Sequence, residues 1–101
     1  MADELTLERT ARLFKALGTS SRLRLIVGLQ GGAQTVSQLV QTTGLSQPLT
    51  SQHLASLRDI GVVAATRHGR EVHYEIADSH ISHIVGDAIA HVADDHDNPE
   101  A

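Results

Sequence analysis

The chain has 101 residues, of which 41 % are apolar, with two aromatics (Phe14 and Tyr74) and no cysteine. A single domain over 1–101 follows, its core built from Leu, Ile, Val and Ala, while disulfides, thiolate metal sites and thiol redox sensing are excluded. Apolar runs are too short for a membrane span, and the N-terminal MADELTLERT lacks a signal-peptide pattern, so a soluble, cytoplasmic protein is expected.

The net charge of −4 hides a strong polarity. Residues 20–70 carry five arginines (Arg22, Arg24, Arg58, Arg67, Arg70) against one acid, Asp59, whereas residues 71–101 carry eight acids and no Lys or Arg. A basic middle suits a phosphate-facing surface, and an acidic, His-bearing end suits a cation or simple solubility.

In chain order, residues 5–17 place Leu5, Ala11 or Leu13, Phe14 and Leu17 on one helical face, closed by Gly18. Thr19 and Ser20 can cap a second helix, SRLRLIVGLQ, with Leu23, Ile26, Val27 and Gln30 at helical spacing. Thr35 or Ser37 starts a short third helix, VSQLVQTTG, which ends at Gly44. Ser46 can cap a fourth, QPLTSQHLASLRDIG, where Pro48 lies in the first turn at little cost and Leu54, Leu57 and Ile60 form the buried side.

Two short helices joined tightly around Gly44 have the layout of a helix-turn-helix. The N-terminal end of the second presents Ser46, Gln47, Thr50, Ser51, Gln52 and His53, polar groups short enough to reach base edges. A polar first turn also suits plain solvent exposure. Next, Val72, Tyr74 and Ile76 alternate with Glu71, His73 and Glu75 as in a strand. A turn through His68–Gly69 pairs this strand with Val62–Thr66 as a hairpin, whose tip carries Arg67, His68 and Arg70. A basic tip directly after a helix-turn-helix reads as a wing.

From Asp78 to Asp95, Ile81, Ile84, Val85, Ala88, Ile89 and Val92 recur with the period of an amphipathic helix. His80 and His91 flank that stripe, about 16 Å apart along the axis, too far to hold one ion from the same helix. Two copies packed antiparallel about a two-fold axis would bring His80 of one chain opposite His91 of the other, with Asp78 and Asp94 carried to the same places.

The segments ALGTSSRLRLIVGL, SQLVQTTGLSQPLTSQHLASLRDIGVV and RHGREVHYEIAD resemble the ArsR/SmtB family of bacterial metal-sensing winged-helix repressors, over about residues 8–95. The resemblance implies a mainly α winged helix-turn-helix fold in the order α-α-α-α-β-β-α, dimeric through its first and last helices, with an ordered core of about 5–95 and a flexible tail at 96–101. It also implies a repressor whose metal-free dimer binds an inverted-repeat operator and is released when metal binds. For DNA it implies Gln47, Thr50, Ser51, Gln52 and His53 near base edges, Ser46 and Arg22 in positioning or phosphate contacts, and Arg67 and Arg70 as wing contacts.

One class within that family places its ligands on the last helix as Asp-x-His and His-x-x-(Glu or His). Asp78, His80, His91 and Asp94 occupy that pattern here, with Asp95 or His96 as alternatives to the shorter Asp94. Two histidines and two carboxylates suit Zn(II), with Co(II) as its mimic, while Ni(II) would draw further ligands from His83, Asp87 and His96. Asp78 can equally serve as a helix cap. The other reading keeps the winged-helix repressor but gives it a nickel or non-metal signal and leaves the last helix for dimerisation alone. A metal-dependent enzyme using His80, His83 and Asp87 lacks a nucleophile and a Glu-bearing zinc motif.

Overall fold

The computed structural model describes residues 2–95. Four helices come first, α1 (Glu4–Leu17), α2 (Ser20–Leu29), α3 (Val36–Thr43) and α4 (Gln47–Asp59). A hairpin of β1 (Val63–His68) and β2 (Glu71–Ile76) follows, and α5 (Ser79–Asp95) completes the described chain. The α-α-α-α-β-β-α order expected from the sequence is therefore the observed one. The expected tail at 96–101 and the alternative ligand His96 lie outside the described residues.

Every helix begins on a side chain that satisfies the first free backbone N–H groups. Asp3 accepts from Thr6 N–H at 2.8 Å, and this bond holds its carboxyl below the ordinary value. Thr19 Oγ1 accepts from Arg22 N–H, and Ser46 Oγ from Leu49 N–H. Thr35 and Gln38 form a reciprocal capping box that starts α3. Asp78 Oδ1 accepts from the N–H groups of His80 and Ile81 and so starts α5. The turn between α3 and α4 depends on Gly44, whose φ of 77° is left-handed and whose N–H closes on Val40 O.

The core joins α2, α3, α4 and the base of the hairpin around Leu25, Ile26, Leu39, Leu54, Leu57 and Val62, all fully buried. Two expected faces are corrected. On α2 the buried residues are Leu25, Ile26 and Leu29, whereas Val27 is exposed and Gln30, also exposed, donates from Nε2 to Ser82 O on α5 at 3.3 Å. The buried stripe is rotated about 100° around the helix from the expected one, because α2 turns Leu25, Ile26 and Leu29 into the core. Gly28 sits where α2 and α3 approach, and a Cβ there would lie 3.2 Å from Leu39 Cδ2. On α4 the buried side ends at Leu57, and Ile60, past the last turn, is exposed.

The hairpin is antiparallel, with Val63 opposite Ile76 and His68 opposite Glu71. Its two connecting residues are Gly69 (φ 64°) and Arg70, one position later than the His68–Gly69 turn expected. The inward alternation of Tyr74 and Ile76 holds, as both pack on the core. A feature not foreseen is a two-way backbone bridge between Gln34 and Tyr74, at 2.9 and 2.8 Å. It ties the lead-in of α3 to the hairpin.

Candidate nucleic-acid interface and metal-ligand helix

On α4 the buried positions Thr50, Leu54 and Leu57 fix which side faces out. Ser46, Gln47, Ser51 and Gln52 are exposed and His53 is half-buried. Gln47, Ser51 and Gln52 thus project from the first two turns, the part of a recognition helix that meets base edges. Thr50 does not belong with them. It is fully buried, and its Oγ1 donates to Ser46 O at 2.8 Å, so the expected base contact is corrected to a structural role. The Ser46 oxygen caps α4, which leaves its hydroxyl proton for an outside acceptor.

Arg67 and Arg70 are exposed at the hairpin end, where Arg67 Nη1 donates to Gly69 O at 3.3 Å and holds the tip. His68 and His73 stack edge-on at 4.7 Å beside them, with His73 Nε2 3.4 Å from Glu71 Oε1. Arg22 behaves differently from a free phosphate-seeking arginine. Its Nε donates to His53 Nδ1 at 3.1 Å and its Nη1 to Ala16 O at 3.3 Å. Partial burial first, and the Arg22 charge second, push the His53 imidazole below its ordinary pKa. No sequence pattern announces this pair, since its members are 31 residues apart.

On α5, Asp78 and His80 stand together at the N-terminal end, with His80 Nδ1 3.5 Å from Asp78 Oδ1. His91 and Asp94 lie about three turns further along, within about 20° of His80's flank for His91. All four are exposed. Among the described residues of a single chain, no three His, Asp or Glu groups gather closely enough to hold a metal. Each end of α5 thus carries one histidine and one carboxylate, Asp78 with His80 and His91 with Asp94. The donor set fits a borderline divalent ion: two imidazoles, two carboxylates, and a free Oδ2 on Asp78 once Oδ1 has capped the helix. The stripe on α5 is split in the same sense. Ile81 and Val85 are buried within the chain, but Ile84, Ile89 and Val92 are exposed, as are Leu5, Leu7 and Phe14 on α1.

Among the described residues, no helix is long and apolar enough to cross a membrane. Residues 19–65 match the family model described as bacterial regulatory protein, arsR family. The chain is 42 % identical over 89 residues to the HTH-type transcriptional repressor SmtB of Mycobacterium tuberculosis, covering 88 % of this chain and 66 % of that protein, just under two thirds of its length. A homodimeric winged helix-turn-helix DNA-binding domain from Mycobacterium bovis, a possible ArsR-family transcriptional regulator, superposes with a TM-score of 0.80 at 30 % identity. That superposition covers 95 % of this chain and 90 % of that one. The antimony-specific transcriptional repressor AntR superposes with a TM-score of 0.83 at 25 % identity, covering 95 % of this chain and 87 % of that one.

Proposed function

Because the chain belongs to the arsR family of bacterial regulatory proteins, we propose that it is a cytoplasmic, metal-responsive transcriptional repressor acting as a homodimer on an inverted-repeat operator. The observation that carries this reading is the division of α4, whose buried side is locked into the core while Gln47, Ser51 and Gln52 stay exposed, as do the wing arginines Arg67 and Arg70. A helix held so firmly can present short donors and acceptors to a major groove at a fixed height. Arg67 and Arg70 then meet the flanking backbone or minor groove.

Dimerisation joins the exposed apolar residues of α1 and α5 from two chains. The same two-fold sets Asp78 and His80 of one chain against His91 and Asp94 of the other, giving two equivalent sites. Zinc is the ion that this set favours, with cobalt as a spectroscopic mimic. A bound ion would supply a cross-link between the two α5 helices. Asp78 presents Oδ2 because its other oxygen holds the helix start. The imidazoles of His80 and His91 give nitrogen donors from opposite ends of the interface.

Release from DNA follows if the dimer has two arrangements of its recognition helices, only one fitting the operator, and metal binds the other better. A preference of a few kcal/mol suffices. The deciding experiment is a metal titration read out by operator binding. Zinc should weaken binding at least tenfold, His80→Ala and His91→Ala should abolish that response without loss of metal-free binding, and phosphate contacts should make binding fall steeply with salt. A dimer that binds DNA indifferently to zinc would instead favour a repressor with a nickel or non-metal signal, for which Asp78 is only a cap.

A further inference from the structure

Arg22 stands where three helices converge. Its backbone N–H is capped by Thr19 Oγ1 at 3.2 Å in the first turn of α2. Its guanidinium reaches back to Ala16 O at 3.3 Å, in the last turn of α1, where the carbonyl end of the helix dipole favours a cation. From that anchorage Nε donates to His53 Nδ1 at 3.1 Å on α4. Swinging the side chain out to a phosphate would break both guanidinium bonds.

Arginine is always a donor. The ring nitrogen that it meets must therefore offer a lone pair, and neutral His53 carries its proton on Nε2. Partial burial and, second to it, the Arg22 charge favour that neutral form. Among the described residues no buried side-chain nitrogen lacks a partner. The hydrogen bond of His53 is made at Nδ1, so Nε2 reaches the surface, on the border between the buried Thr50 side of α4 and its exposed polar face.

We propose that Arg22 is a positioning residue acting on DNA through His53: it fixes the ring so that Nε2–H is presented from α4 as a hydrogen-bond donor to an acceptor on the duplex. This rests on the reading of α4 as the recognition helix. The acceptor is either a phosphate oxygen or a base-edge oxygen or nitrogen, and both belong to the same chemistry.

The test uses the full-length dimer and a duplex that it selects from a random-sequence library. Arg22→Met and His53→Ala should each weaken binding about tenfold, as expected for one oriented hydrogen bond, and the double variant should be no weaker than either single one. His53→Gln, which restores an N–H near the Nε2 position, should recover most of the loss. Arg22→Lys, which keeps the charge but not the planar fork, should behave like Arg22→Met. A uniform loss over all sequences in His53→Ala would mark a phosphate as the acceptor, and lost discrimination at one base pair would mark a base edge; either supports the proposal.

Independent losses that add in the double variant, with full binding by Arg22→Lys and a salt slope smaller by about one in Arg22→Met, would overturn it in favour of a direct phosphate contact. Titration of the His53 ring by NMR without DNA gives a separate reading, since Arg22→Met should raise its pKa toward the ordinary histidine value. An unmoved value would also overturn the pairing. If the unmodified protein selects no duplex, the recognition-helix reading fails and takes the Nε2–H contact with it, while the NMR result still reports on the Arg22–His53 pair.

Discussion

Asp78 Oδ1 accepts from the backbone N–H of His80 at 2.9 Å and lies 3.5 Å from the Nδ1 of the same residue. One carboxylate therefore starts α5 and stands beside the imidazole with which it would share an ion. The two roles separate by substitution. Asp78→Asn keeps an oxygen for the cap and removes the charge, so stability should change by only a few tenths of a kcal/mol while zinc affinity falls at least tenfold. Asp78→Ala should lose about 1 kcal/mol of stability as well. Urea unfolding alongside a zinc competition titration measures both, and an Asn variant that binds zinc normally would leave Asp78 as a cap alone.

Thr50 and Gln52 are two residues apart and should respond in opposite ways. Thr50→Val removes a buried hydroxyl bonded to Ser46 O and leaves that carbonyl with one partner fewer. It should cost about 1 kcal/mol of folding stability and leave operator affinity of the folded dimer nearly unchanged. Gln52→Ala, at an exposed position, should leave the melt unchanged and weaken specific binding by about 1–3 kcal/mol. Fluorescence anisotropy with specific and scrambled duplexes, beside a thermal melt, distinguishes the pair.

The lowered pKa of His53, from partial burial first and the Arg22 charge second, predicts a pH-dependent contribution to stability. In the unfolded chain the ring takes a proton near 6.5, whereas in the folded protein partial burial and Arg22 delay protonation to lower pH. The unfolded state therefore binds more protons as the pH falls past 6.5. Stability from this group is complete above that value and declines below it. Urea midpoints between pH 8 and pH 5 should fall less steeply in His53→Gln than in the unmodified protein, and parallel curves would show that His53 titrates alike in both states.

Phe14 on α1 and Val92 on α5 are 55 % and 66 % exposed in one chain, so a charge at either costs the monomer's core little. Phe14→Glu and Val92→Glu should each shift sedimentation from dimer toward monomer and weaken operator binding through loss of the second half-site. The same variants should weaken zinc binding, because in the proposed dimer each site would draw ligands from both chains. Dimers that persist in both variants would place the two-fold elsewhere.

The element order, the Ser46 cap, Thr35 as one of two candidate caps, the Gly44 turn and the wing were legible in the sequence. Each depends on neighbours within a few residues: a side-chain oxygen reaching the N–H three positions on, or a glycine where φ is positive. The spacing of Asp78, His80, His91 and Asp94 along α5 was legible for the same reason, since one helix sets it. Which of the exposed-looking polar residues on α4 turn inward was not, and Thr50 illustrates why. Its burial follows from how α4 docks against the rest of the core, which the 3.6-residue period alone does not fix. The face of α2 was misread because Leu23, Ile26 and Val27 make as regular an apolar stripe as Leu25, Ile26 and Leu29, and only the packing of the helix decides which of them is buried. The Arg22–His53 pair and the Gln34–Tyr74 bridge join segments far apart in the chain. Only the packing of α1, α2 and α4 around one point, and of the hairpin against the lead-in to α3, brings those donors and acceptors within reach.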